Sequence, residues 1–156
     1  MQLSEQWVLV TGGARGLGQS ITRALAREGA GIVINYLHSD AAAQALAEEL
    51  GPRALALQAD VTDAAAVQRL FAQVRERTGQ PISAVVNNAL AQFRFDGDAR
   101  PQIGDITWQR FAQQLEGAVK GALNTTQAAL PAMREQGFGR IVNMSSRAAL
   151  GKGDRI

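Results

Sequence analysis

The chain has 156 residues, enough for one domain that can bury about 70% of its unfolded surface. Its net charge is +2, it has no Cys, and its 16 basic residues include only two lysines, Lys120 and Lys152. These features exclude a disulfide framework and a Cys-based metal site, and the scattered arginines form no stripe for a nucleic-acid backbone. The high pI of 9.7 follows from a small Arg excess in a chain with few groups that titrate in the alkaline range. No apolar run reaches the roughly 20 residues of a membrane span, and the start MQLSEQWVLV lacks the pattern of a secretory signal. The expectation is a cytoplasmic protein with no nucleic-acid, membrane or metal partner.

In chain order, WVLVT (7–11) reads as a buried strand. Leu17, Ile21, Ala24 and Leu25 then recur at helical spacing up to Gly29. GIVINY (31–36) is the second strand, followed by a helix over 40–50 that Ser39 can cap and Gly51-Pro52 stops. ALALQAD (54–60) is the third strand. Thr62 or Asp63 caps the next helix, whose Val67, Leu70, Phe71 and Val74 share one face. ISAVVNN (82–88) is the fourth strand and 91–106 a polar loop. A long helix is expected from Thr107 to Glu135, with Pro131 kinking or loosening its last turns. GRIVNMSS (139–146) is the fifth strand. Strands rich in Val, Ile and Leu that alternate with helices predict an α/β fold, a Rossmann-like doubly wound parallel sheet covered on both faces.

Between the first strand and its helix lies TGGARGLG, with Gly12, Gly13, Gly16 and Gly18. Free N–H groups and the positive end of a helix dipole suit a pyrophosphate there. Gly12 serves the tight turn, Gly16 the approach of the backbone to phosphate, and Gly18 the close packing of the helix. A glycine loop that follows a first strand and opens a helix points to a nucleotide.

The spacing T-G-x-x-x-G-x-G resembles the short-chain dehydrogenase/reductase family. The resemblance runs on in order through Asp60-Val61, Asn87-Asn88-Ala89 and GRIVNMSS. It implies strand order 3-2-1-4-5 and a single NAD(P)-binding domain over 1–156. It also implies a cofactor site formed by Gly12, Gly13, Ala14, Arg15, Gly16, Leu17 and Gly18, by Asn35, Tyr36 and Ser39, by Asp60 and Val61 at the adenine, and by Asn87 and Ala89. Ser146 falls on the family's catalytic serine. The second strand ends in Asn35-Tyr36 with no carboxylate before Asp40, so nothing there repels a 2′-phosphate. With Arg15 in the glycine loop, NADP is expected over NAD.

The family's Tyr-x-x-x-Lys pair is expected just past Ile156, so the domain reads as truncated before that helix and the 156-residue chain as inactive by itself. Two positions depart from the pattern: the family's helix Asn falls on Ala118, and the Gly after Asn-Asn-Ala is Leu90. The implied activity is hydride transfer between nicotinamide and a small carbonyl or alcohol, with a 3-oxoacyl thioester as the single best substrate. The alternative is a non-catalytic dinucleotide-binding module or inactive fragment. IVNM (141–144) as a sheet edge, and Trp108, Phe111, Leu115 and Val119 left partly bare, predict a homo-oligomer.

Overall fold

The computed structural model describes residues 1–90 and 103–145. Its elements are β1 Trp7–Val10, α1 Gly16–Arg27, β2 Gly31–Tyr36, α2 Asp40–Leu50, β3 Ala54–Gln58, α3 Ala64–Thr78, β4 Ala84–Asn87, α4 Trp108–Leu115, α5 Gly121–Glu135 and β5 Arg140–Asn143. The five strands form one parallel sheet in the order β3-β2-β1-β4-β5. This is the expected Rossmann-like topology.

Alternation along the strands divides the core into two layers. Trp7, Leu9, Val33, Leu57 and Val85 face one side, where Leu70 and Val74 of α3 and Ala129 and Met133 of α5 close over them. Val8, Val10, Ile32, Ile34, Tyr36 and Val86 face the other, under Ala43 and Leu46 of α2 and Ile21 and Leu25 of α1. A strand with both faces buried needs apolar residues at every position, which is why β1 reads WVLV without alternation. Asp63 is the cap of α3, its carboxylate accepting from the backbone N–H groups of Ala65 and Ala66 at 2.8 and 3.2 Å.

Several expectations are corrected. The strands are shorter than the apolar runs. Thr11, Ala59, Asp60, Ile82, Ser83 and Asn88 lie outside the paired strands, where the chain enters or leaves the sheet. Ser39 stands at the N-cap of α2, yet its side chain makes no capping bond. Leu17 and Ala24 are exposed, so α1 seats on Ile21, Leu25 and the buried Thr22.

The single helix over 107–135 is instead α4 and α5 joined by a π-helical turn, Glu116–Lys120, that contains Ala118. α5 runs through Pro131 to Glu135. The polar loop contains a 3₁₀ turn at Ile103–Asp105, and its residues 91–102 lie outside the described part, as does Ser146.

Candidate dinucleotide site

At the carboxyl ends of β1, β2 and β4 the glycine turn is held from both sides. Thr11 is buried. Its Oγ1 accepts from the backbone N–H groups of Asn88 and Ala89 at 2.9 and 3.0 Å and lies 3.3 Å from the Val86 carbonyl, to which it donates. Asn88 Nδ2 donates back to the carbonyl of Thr11 at 3.0 Å and reaches that of Gly12 at 3.4 Å. On the β2 side the N–H of Gly13 donates to the Asn35 carbonyl at 3.0 Å. These bonds hold the turn to both neighbouring strands.

Geometry requires glycine at several points of this turn. Gly12 has φ +63°, which favours a residue without Cβ. A Cβ on Gly18 would lie 2.2 Å from the Gly12 carbonyl oxygen and 2.7 Å from Asn88 Nδ2, so α1 could not approach the turn with any other residue there. Gly16 also has a positive φ, +54°, but the space around it is open, for nothing lies within 4 Å of where its Cβ would be. That open space fronts the first turn of α1, and the N-cap residue Arg15 supplies no side-chain capping bond to it. Arg15, Gly16 and Leu17 are exposed beside Ala14, which is buried. The combination of uncapped N–H groups, a helix dipole and room for atoms suits an anionic group such as a pyrophosphate.

At the end of β2, Asn35 is buried and its Nδ2 donates to the Ala59 carbonyl at 3.0 Å, so its amide ties β2 to the turn after β3 and does not face the crevice. The Tyr36 ring belongs to the core under α2, and its hydroxyl donates to the Asp40 carboxylate. That hydrogen bond raises the phenol pKa above its usual value; burial adds to the effect, and a hydrogen bond with Gln44 opposes it. Both side chains are thus engaged within the fold, while Leu37 and His38 are exposed and Ser39 is half-buried.

Beyond β3, Asp60 Oδ1 accepts from Thr62 N and Oγ1 at 2.8 and 2.7 Å. Asn124 Nδ2 of α5 donates to the Val61 carbonyl at 2.8 Å. At the end of β4, Asn87 accepts from the Thr125 hydroxyl at 2.6 Å and donates to Asn143 Oδ1 at 2.9 Å, joining β4, α5 and β5. Ala89 is half-buried beside Gly12, its Cα 3.2 Å from where a Cβ added to Gly12 would stand, and Leu90 is exposed.

Thr11, Asn88, Asn124 and Thr125 were not singled out from the sequence. Thr11 and Asn88 lay inside the quoted motifs, and their polar character next to apolar strands was the available signal. Asn124 and Thr125 gave none, because their partners are more than 35 positions away. Among the described residues no cluster of His, Cys, Asp or Glu could hold a metal ion.

A parallel sheet in this order, with a glycine turn feeding a helix N-terminus at its carboxyl edge, defines a Rossmann-like α/β protein. The family model described as short chain dehydrogenase matches residues 6–155, and the chain belongs to that family. It is 40% identical over 149 residues to a sorbitol dehydrogenase of Cereibacter sphaeroides, covering 95% of this chain and 55% of the relative. To the 3-oxoacyl-(acyl-carrier-protein) reductase FabG of Staphylococcus aureus (strain Mu50 / ATCC 700699) it is 35% identical over 142 residues, covering 88% and 54%. The crystal structure of a short chain dehydrogenase from Bacillus anthracis superposes with a TM-score of 0.81 at 25% identity, covering 97% of this chain and 61% of that one. The chain thus spans about half the length of the curated relatives it matches.

Proposed function

We propose that the protein is an NADP(H)-dependent oxidoreductase acting on a carbonyl or alcohol, with this chain supplying the dinucleotide site. The observation that carries the reading is the glycine turn clamped by Thr11 and Asn88, which opens onto the uncapped N-terminus of α1. The residues fit the cofactor: Gly12 to Gly18 would hold the pyrophosphate, with Arg15 at the 2′-phosphate, Ser39 and the backbone of Asn35 and Tyr36 beside the ribose, Asp60 and Val61 at the adenine, and Asn87 and Ala89 toward the nicotinamide. When bound, the nicotinamide supplies or accepts the hydride. Ser146 would hydrogen-bond the substrate oxygen.

Tyr36 is the sole Tyr of the 156 residues, and its hydroxyl is committed to Asp40, so it is no candidate for the proton donor of a carbonyl reduction. Turnover in this reading requires a general acid other than Tyr36. For substrate, a 3-oxoacyl thioester is favoured by the likeness to a 3-oxoacyl reductase, while the likeness to a sorbitol dehydrogenase makes a polyol the competitor.

Calorimetric titration with NADPH, NADH, ATP and inorganic pyrophosphate tests the cofactor reading. Dinucleotide binding that Gly18→Ala abolishes is the expected result, and no dinucleotide binding would overturn it. Oxidation of NADPH by the whole protein with a 3-oxoacyl thioester, set against reduction of NADP by a polyol, decides the substrate class.

A further inference from the structure

Asp40 is the first acid after β2, and it stands in the first turn of α2, immediately past the strand end where an adenosine ribose would lie in the reading above. A carboxylate at that point opposes a 2′-phosphate and favours a bare 2′-hydroxyl, so an NADP site with Asp40 beside it needs a reason why the acid does not act. The structure supplies one. Asp40 Oδ1 accepts the hydroxyl proton of Tyr36, one turn earlier in the chain. The Tyr36 ring is itself held in the core with Val8, Ile34, Ala43 and Leu46, so the hydroxyl has little freedom to follow the carboxylate outward. A charge-assisted hydrogen bond to a fixed donor is among the stronger polar contacts a side chain can make.

We propose that Tyr36 is a specificity-determining positioning residue: its hydroxyl latches the Asp40 carboxylate to the ring packed under α2 and so restrains it from turning toward the ribose, which admits a 2′-phosphorylated adenosine. The latch rests on the dinucleotide reading and deepens it. Asn35 offers no alternative means of selection, because its amide is spent on the Ala59 carbonyl. Arg15 adds attraction for a phosphate, and the Tyr36–Asp40 pair removes a repulsion. These two contributions are separable by mutation.

The test compares the unaltered chain with Tyr36→Phe, Asp40→Glu and the double variant Tyr36→Phe/Asp40→Asn. Each is titrated by calorimetry with NADPH, NADH, adenosine 2′,5′-bisphosphate and AMP, with circular dichroism to confirm folding. Tyr36→Phe keeps the ring in the core but frees the carboxylate, and the preference for the 2′-phosphorylated ligands falls by about tenfold, the scale of one charge-assisted contact. Asp40→Glu carries the carboxylate past the hydroxyl with no core atom changed, and it moves the preference in the same direction. The double variant has no carboxylate to release and regains the original preference. A preference unmoved in both Tyr36→Phe and Asp40→Glu overturns the latch while the cofactor reading stands. Failure of the double variant to recover assigns the change to lost packing and also overturns it. An unaltered chain that binds neither dinucleotide, or that favours the unphosphorylated ligands, overturns the cofactor reading first and the latch with it.

Discussion

The Cα of Gly18 faces the carbonyl oxygen of Gly12 so closely that a Cβ on Gly18 would stand 2.2 Å from it. Backbone lies on both sides of this contact, and no side chain can rotate away to make room. Gly18→Ala must therefore shift α1 or open the turn. The expected cost is about 1–3 kcal/mol of stability, as for other overpacked sites. Loss of dinucleotide binding should accompany it. Denaturant titration and calorimetry on the same variant check both.

Thr11 serves two backbone N–H groups with one hydroxyl. Thr11→Val preserves shape and leaves those donors without their acceptor. We expect a loss of about 2 kcal/mol or more, since an orphaned buried donor costs about 1–3 kcal/mol. Thr11→Ser should retain most of the stability, and its equality with Val in a urea titration would count against the hydrogen-bond account.

Arg15 is exposed at the N-cap of α1. If it meets the 2′-phosphate, Arg15→Ala should erase most of the preference for NADPH over NADH, about tenfold for one phosphate–guanidinium contact, and leave NADH affinity nearly unchanged. The preference should also weaken as salt rises. Equal losses for both cofactors would place Arg15 on the pyrophosphate instead.

Folding raises the Tyr36 pKa, chiefly through the hydrogen bond to Asp40 and then through burial. The fold favours the protonated phenol, so this contribution is full below the ordinary phenol pKa of about 10 and is lost as pH rises through the higher folded value. Stability should decline more steeply above about pH 10 in the unaltered chain than in Tyr36→Phe. Denaturation midpoints collected between about pH 8 and 11 would show the two slopes, and identical slopes would remove Tyr36 as the cause.

Trp108, Phe111, Leu115, Val119 and Leu123 recur every three or four residues along α4, the π turn and α5, and all are exposed, Trp108 at 73% and Val119 at 60%. Trp108 and Phe111 already pack on each other at 5.8 Å between ring centroids. Val142 on β5 and Met144 just after it are exposed as well, as expected of an edge. An apolar stripe of this length favours self-association. Light scattering should report an assembly larger than one chain, and Trp108→Glu with Phe111→Glu should reduce it. A monomer unchanged by the pair would count against the stripe as an interface.

The sequence by itself determined the five strands, the first three helices and their order, though not the π-helical break between α4 and α5. Apolar runs of four to six residues, helical spacing at Val67, Leu70 and Val74, and glycines at the strand-to-helix turn are local signals, and local sterics and burial act on neighbours in the chain. It also located the glycine turn, since a positive φ at Gly12 and a missing Cβ at Gly18 are written in residue type. What only the tertiary structure decided are the partnerships across the sheet. Asn35 and Tyr36 read from the sequence as cofactor residues because they end β2. The sequence did not show that their side chains pair with Ala59 and Asp40, since a buried amide or phenol finds its partner wherever the packed strands bring one. Thr11 meets Asn88 from 77 positions away, and Asn124 meets Val61 from 63. No spacing rule reaches that far: such pairs exist only once the parallel sheet has set β4 beside β1 and laid α5 across the turn after β3.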